Sequence, residues 1–523
     1  MSALPLAPLR DAAAPLQRVR QGFTEFLDRY RTRLRHVFET RGDADRLNLQ
    51  RGLPPYVLNQ IREHDPLSAW VPEEYGGRGG ELREALAVLE ATGYESLPLT
   101  LLVGINGGLF LQPVAKYGQE AVKRPVFDAF LRGKRMGGLM ITEPDYGSDA
   151  LNMQTSYRET GRGTYHIEGV KHWGGLTGWA DYWLLTARPR AAGGGLQRDV
   201  DFFVCDVNAP GQHIEVEEVY QNLGLWMLPY GRNRIDVEVP AAARLEPRTT
   251  GVRMLLDLLN RSRFQFPGMA MGFLRRLLDE GLEHARERFV GGRPLLDYDQ
   301  VKARLARMQA SVTACAAMCL HSAENAGVER DLSDSGLSAN ALKSVVTDWM
   351  QEAAQSFLQL VGAKGYRMDH LAGRAVVDSR PFQIFEGSND ILYQQVTEAV
   401  LKGMRRMKES NLYRYLRQEP LTARASEAFR DLLSFDVDLS LPQRKVVELG
   451  RALGRIISME MTIELGERGY RPDLIVSALE ELRNEVRALL TTYREGGISA
   501  VVEGPNEVAD WLAHFRPTPT AAR

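Results

Sequence analysis

The spacing of apolar residues along this chain changes twice, and that change decides which architectures are open to it. Up to about residue 135 apolar side chains recur at helical spacing, as over residues 82–91. From about 136 to 247 the period drops to two: residues 165–170, 181–187, 200–206, 214–219 and 234–239 alternate or bunch β-formers. From 251 to 403 long helical patterns return over 254–288, 300–327, 340–361 and 389–404, each long enough to span a four-helix bundle. The expectation is an α+β multi-domain protein: a helical N-terminal domain over 1–135, a β-barrel-like middle domain over 136–247, a C-terminal four-helix bundle over 248–404, and a helical extension over 405–523. In the extension, helical stretches fall near 421–434, 441–466 and 474–492, ahead of a Pro-Thr-Pro-Thr tail that reads as disordered.

Composition narrows the function. A chain of 523 residues with 25% charged and 44% apolar residues has the make-up of a soluble globular protein of two to four domains. Its net charge of −2 gives no electrostatic footprint for nucleic acid or an anionic membrane. Three cysteines build no disulfide framework, and Cys315 and Cys319, four apart on a helical pattern, read as core residues. Nine histidines fall in no ligand spacing, so no metal site is expected. No apolar run reaches the length needed to span a bilayer, the proline-broken N-terminus lacks the order of a secretory signal, and residues 10–36 read as an amphipathic helix. A cytoplasmic protein follows as the default. Within 97–111 the apolar sequence is nearly continuous, and Gly104, Gly107 and Gly108 leave room either for close helix packing or for an acyl chain.

Chemistry concentrates in Pro381-Phe382-Gln383-Ile384-Phe385-Glu386-Gly387-Ser388-Asn389-Asp390. Ile384 and Phe385 can strip water from the Glu386 carboxylate and raise its proton affinity, Gly387 lets the backbone bend closely, and Ser388 can cap the following helix. Such a carboxylate is either a helix-capping acid or a base able to remove a weakly acidic C–H proton. A second motif, Ile141-Thr142-Glu143-Pro144-Asp145-Tyr146-Gly147-Ser148-Asp149 followed by Lys171-His172-Trp173-Gly174-Gly175, offers hydroxyls and free backbone N–H groups beside an aromatic plate. That set suits a flat ring system with a phosphate tail; taken singly, each piece is also an ordinary turn or a half-buried tryptophan. No Gly-x-Gly-x-x-Gly unit supports a Rossmann mode for a cofactor.

Together and in this order, these motifs resemble the acyl-CoA dehydrogenase family of flavoproteins. Further matches are Trp70-Val71-Pro72-Glu73-Glu74-Tyr75-Gly76-Gly77, Asn222-Leu223-Gly224, Leu259-Asn260-Arg261-Ser262-Arg263, Arg288-Phe289-Val290-Gly291-Gly292-Arg293-Pro294-Leu295 and Gln359-Leu360-Val361-Gly362-Ala363-Lys364-Gly365-Tyr366, and the resemblance runs from about Trp70 to Gly403. It implies FAD as cofactor and an acyl-CoA thioester as substrate, with Glu386 taking the α-proton while hydride leaves Cβ for the flavin. It implies that Ile141, Thr142, Gly147, Ser148, Trp173, Gly175, Ser388 and Asp390 contact the flavin. Arg288, Gln359 and Gly362 are implied to reach a flavin held mainly by a neighbouring subunit, hence a homodimer or homotetramer. Asn260 and Arg263 become candidates for the CoA arm, Arg263 equally for a surface salt bridge, and an electron-transfer flavoprotein becomes the expected acceptor.

Some relatives carry the base on the first helix of the C-terminal domain, where this chain has Ser262. Three departures mark this sequence: Gly175 replaces the usual Thr or Ser near the flavin, Gly291-Gly292 replaces Phe-Gly, and Ala363 replaces the second glycine of the glycine turn. Open alternatives are an acyl-CoA oxidase or an acyl-carrier-protein dehydrogenase on the same scaffold, and a non-catalytic flavin-binding relative, against which Glu386 counts.

Overall fold

The computed structural model describes residues 17–41, 51–161, 163–438, 440–497, 499–504 and 511–514; residues 10–16 and the Pro-Thr tail lie outside them. The N-terminal part is helical: α1 (Gln17–Arg35), α2 (Pro55–Arg62), α3 (Leu82–Glu95), α4 (Leu97–Gly104), α5 (Gln112–Tyr117) and α6 (Glu120–Leu131), with a π-helical stretch, Ile105–Leu111, joining α4 to α5.

The run Leu97–Tyr117 is therefore one 21-residue helical passage, long and apolar enough to cross a bilayer by length and composition, contrary to the expectation from sequence. It is a core helix, with 89% of its apolar window buried in the fold. Its glycines serve close packing. A Cβ on Gly107 would lie 2.4 Å from the Trp70 ring, one on Gly108 2.7 Å from the Gln265 amide, and one on Gly104 3.3 Å from Met269 Sδ. Protein atoms fill the space an acyl chain would need there. Trp70 Nε1 donates to Gln265 Oε1 at 2.9 Å, and Gln265 Nε2 donates to Gln112 Oε1 at 2.8 Å, so the passage is tied through Gln112 to Gln265 and Trp70.

The middle domain is one curled seven-stranded sheet of β1 (Gly137–Met140), β2 (Ser156–Glu159), β3 (Thr164–Gly175), β4 (Tyr182–Pro189), β5 (Asp201–Asp206), β6 (Gln212–Val219) and β7 (Tyr230–Pro240). The order is β1-β4-β2-β3-β7-β6 with β5 also beside β4; β4 pairs in parallel with β1 and β2, and the other pairs are antiparallel. Strands β1 and β2, four residues each, are too short to show alternation in the sequence.

The C-terminal part holds α7 (Gly251–Arg263), α8 (Phe266–Glu287), a hairpin of β8 (Phe289–Val290) and β9 (Arg293–Pro294), α9 (Asp299–Asn325), α10 (Gly336–Val361), α11 (Leu371–Ser379) and α12 (Asn389–Met407). The single helix expected over 254–288 is two, because Pro267 stands in the first turn of α8 and, lacking an N–H, cannot continue a helix from α7. Helices α8, α9, α10 and α12 form the bundle. The extension adds α13 (Leu412–Leu416), α14 (Arg430–Leu433), α15 (Gln443–Glu467) and α16 (Pro472–Glu495). Helices α15 and α16 pack on α9, and α15 also on α10 and α12, with Leu449, Leu453, Ile456 and Ile457 buried.

Candidate active site

Glu386 lies in the link between α11 and α12 with φ +53, followed by Gly387 at φ +91. A left-handed glutamate is uncommon and persists only where its surroundings hold it. Two buried cations do so. Arg263, at the end of α7, donates through Nε and Nη2 to the Glu386 carbonyl at 3.2 and 3.0 Å. Lys343 of α10 donates to the Gly387 carbonyl at 2.8 Å and to Asn389 Oδ1 at 3.0 Å. Burial pushes Arg263 down to about 10 and Lys343 down to about 7, with Glu386 pulling both back up.

The carboxylate points into the interior, where its Oε2 is buried without a hydrogen-bond partner. Burial holds its pKa above the ordinary glutamate value; the Ser262 side chain and the nearby Arg263 and Lys343 pull the other way. Phe385 packs in an aromatic cluster with Phe266 and Phe382. Ile384, expected to shield the carboxylate, is instead exposed. Ser388 occupies the N-cap position of α12, but its hydroxyl makes no capping bond. Asn389 anchors the helix start in its place, with Nδ2 donating to Ser344 O, Thr347 Oγ1 and Asp348 Oδ1.

The second motif approaches from the middle domain. The β3–β7 register shifts between His172 and Gly174, which places Trp173 on a bulge at φ +56 with its indole 53% exposed. That ring lies 4.6 Å from Tyr220 and 6.3 Å from Tyr230 between centroids. Tyr230 links the two halves of the site: burial and the charge of Glu386 both raise its hydroxyl pKa. A hydroxyl residue in place of Gly175 would require its neighbours to shift, since a Cβ would sit 2.7 Å from Ile105 Cδ1 and 3.3 Å from the Tyr230 ring.

The 141–148 loop is joined to this strand by the His172 N–H, which donates to the Thr142 carbonyl at 3.0 Å. Lys171, fully buried in β3, donates to the Ile141 carbonyl at 3.0 Å and to Glu143 Oε1 at 2.9 Å. Burial pulls the Lys171 ammonium down to about 8, and Glu143 pulls it back up. Glu143 also accepts from the Gln154 and Thr155 backbone N–H groups. The pair stood inside the quoted motifs without a role; a glutamate before proline and a lysine within an alternating strand were the available signal. Ser148 and Gly147 are exposed, and a Cβ at Gly147 would meet nothing within 4 Å.

The remaining candidates divide. Asn260 and Arg263 are buried: Asn260 Nδ2 donates to Leu332 O at 2.8 Å, while Arg263 Nη1 donates to Asn340 Oδ1 at 2.8 Å and to Asn260 Oδ1 at 3.2 Å. Their polar atoms brace the Glu386 turn from inside, which leaves neither the surface salt bridge nor an exposed contact for a CoA arm. Asp390 is exposed and paired with Arg451 of α15 at 2.9 Å. Arg288, Gln359 and Gly362 are exposed near the C-termini of α8 and α10, beside Tyr366, which is 84% exposed. Gln359 stands sixteen residues beyond Lys343 on α10, about 24 Å along the helix at 1.5 Å per residue. The structure therefore brings Glu386 and Trp173 to Tyr230, with Ser262 beside Glu386 and the 141–148 loop tied to the Trp173 strand, and leaves the Arg288 group elsewhere.

Comparison with known proteins decides what this arrangement belongs to. The acyl-CoA dehydrogenase N-terminal, middle and C-terminal domain models match residues 24–134, 138–237 and 249–401. The chain belongs to the acyl-CoA dehydrogenase family. An acyl-CoA dehydrogenase of Bacillus subtilis is 25% identical over 67% of this chain and 90% of its own length. The very long-chain specific acyl-CoA dehydrogenase of Rattus norvegicus mitochondria is 24% identical over 91% of this chain and 70% of its own. Among solved structures, an acyl-CoA dehydrogenase complexed with FAD from Bacillus anthracis superposes with a TM-score of 0.74 at 17% identity, covering 92% of this chain and 89% of that one. Acyl-CoA dehydrogenases are oxidoreductases, and the residues found here fit their flavin: an open indole face, a loop with exposed hydroxyl and glycine, and beyond them a buried carboxylate oxygen with no partner of its own.

Proposed function

We propose that this protein is an FAD-dependent dehydrogenase that converts an acyl-CoA thioester to its trans-2-enoyl thioester, with Glu386 as the base. The observation that carries the reading is the unpartnered, buried Oε2 of Glu386 on a turn whose carbonyls are clamped from behind. Burial raises the affinity of this carboxylate for a proton, as abstraction from a weakly acidic carbon requires. Glu386 takes the α-proton: the C–H bond breaks, an O–H bond forms, and the electron pair delocalises into the thioester carbonyl. The Glu386 backbone N–H serves as one donor to that carbonyl oxygen, a contact of the kind worth about 2.7–4 kcal/mol of barrier elsewhere. Bound FAD supplies the two-electron oxidant that accepts hydride from Cβ. Ile141, Thr142, Gly147, Ser148, Trp173, Gly175 and Ser388 hold it, and Arg288, Gln359 and Gly362, at the far ends of α8 and α10, reach the flavin of a second copy of the chain in a homo-oligomer. An electron-transfer flavoprotein is the proposed acceptor.

Gly175 favours a second reading: with no side-chain hydroxyl beside the flavin, reduced cofactor handed to oxygen, or an acyl group presented on a carrier protein, fits the same scaffold. Anaerobic titration with short, medium and very long acyl-CoAs separates these. Bleaching of the flavin supports the dehydrogenase, rapid recolouring in air with peroxide supports the oxidase, and bleaching by carrier-bound acyl groups alone moves the substrate. Glu386→Gln is expected to keep its flavin and lose the bleaching; reduction of that variant at the wild-type rate would remove Glu386 from the reaction.

A further inference from the structure

A buried line of polar groups runs from the extension to the Glu386 turn. Arg455, on α15 and 3% exposed, sends its three nitrogens to three helices. Nη2 donates to Asp348 Oδ2 of α10 at 3.1 Å, Nη1 to the Tyr393 hydroxyl of α12, and Nε to Glu485 Oε1 of α16 at 2.7 Å. Tyr393 itself donates to Asp348 Oδ2 at 2.6 Å. On the other side, Asp348 Oδ1 accepts from Asn389 Nδ2 at 2.7 Å and Gln383 Nε2 at 2.8 Å. Asn389 Oδ1 accepts from Lys343, the ammonium that holds the Gly387 carbonyl.

A carboxylate in this interior requires a cation. Burial works against the charge of Asp348, yet Arg455, with the hydroxyl and amide donors, keeps it below the usual carboxylate range. The bundle's own cation nearby, Lys343, is already engaged by Gly387 and Asn389. Without Arg455, Asp348 either draws Lys343 toward itself or takes up a proton and releases Asn389; both loosen the hold on Gly387.

We propose that Arg455 is a positioning residue for Glu386: the extension supplies the buried cation that neutralises Asp348 and leaves Lys343 free to fix the turn that aims the carboxylate. The link to catalysis rests on Glu386 being the base; the line of contacts does not. The full-length, flavin-loaded Arg455→Gln and Arg455→Lys variants test it by two readouts. Peptide-resolved amide hydrogen exchange is expected to accelerate over 382–392 in Arg455→Gln while the sheet and α3 stay as in wild type. The limiting rate of anaerobic flavin reduction by an acyl-CoA is expected to fall roughly tenfold or more, as for small misplacements of reacting groups, with half-saturation unchanged. Adding Asp348→Asn is expected to slow the enzyme no further than Asp348→Asn alone, because the two act in one line. Unchanged exchange over 382–392, or a rise spread evenly over the bundle, overturns the proposal. Should Arg455→Gln fail to fold, Arg455→Lys, which keeps the charge, is expected to stay near wild type, and Asp348→Asn decides: wild-type exchange over 382–392 and a wild-type rate in that variant overturn the proposal as well. If no acyl-CoA reduces the wild-type flavin, the assignment of Glu386 fails separately, and the exchange data still judge the line of contacts.

Discussion

Ser262 is not the proposed base, yet it acts on the carboxylate that is. Its hydroxyl favours the ionised form of Glu386, whereas burial raises that carboxylate's pKa. The base works only when ionised, so reduction of the flavin should fail as pH drops through the raised pKa, at values above the ordinary carboxylate range. Ser262→Ala removes a donor to the anion and should move this acid limb to higher pH, with little change on the plateau. Stopped-flow reduction across pH reads it, and coincident acid limbs would refute the Ser262 contribution. The tight turn at Glu386 was legible from Gly387, whereas the shielding expected of Ile384 and the cap expected of Ser388 are not found. The function of Arg263 was not legible: its partner is a carbonyl 123 residues away, and a guanidinium bound to a backbone oxygen leaves the same sequence trace as one bound to a substrate.

At the scale of elements, the 141–148 loop owes its place to the buried Lys171–Glu143 pair rather than to turn chemistry alone. Both partners are removed from water, so Glu143→Gln strands a buried ammonium; breaking such a pair destabilises a protein by about 3–5 kcal/mol. Its folded pKa lies below the unfolded value, so Glu143 contributes stability above that value and loses it as pH falls through the folded one. The variant should melt well below wild type near neutral pH and lose flavin more readily on dilution; wild-type melting and retention would show that the pair carries no load. The long helices and strands β3 and β7 were legible because period and length agree with burial, β4 and β5 from unbroken apolar runs, and β6 from its β-formers although it is largely exposed. Strands β1 and β2 were too short, and the division of α7 from α8 hangs on one proline that a helical pattern also tolerates in a first turn.

At the scale of the whole molecule, the extension closes one side of the bundle and is continuous with its core. Burying each of Leu449, Leu453, Ile456 and Ile457 is worth about 1.5–3 kcal/mol. Their sum approaches the net stability of a whole domain, about 5–15 kcal/mol. A chain ended after Met407 should therefore be recovered aggregated, or melt far below the full protein; a monodisperse, flavin-bound species with the parental melting temperature would contradict this. Sequence alone could not weigh the extension, because its evenly mixed charges describe its solvent side and its apolar stripe names no partner.

The helical passage Leu97–Tyr117 has a consequence for biosynthesis. Trp70 precedes it, but Gln265 and Met269, which cover its other side, are translated roughly 150 residues later, about ten to thirty seconds at ordinary elongation rates. For that interval the nascent polypeptide carries an apolar span long enough to cross a bilayer, and its far side stays uncovered until Gln265 and Met269 have been made.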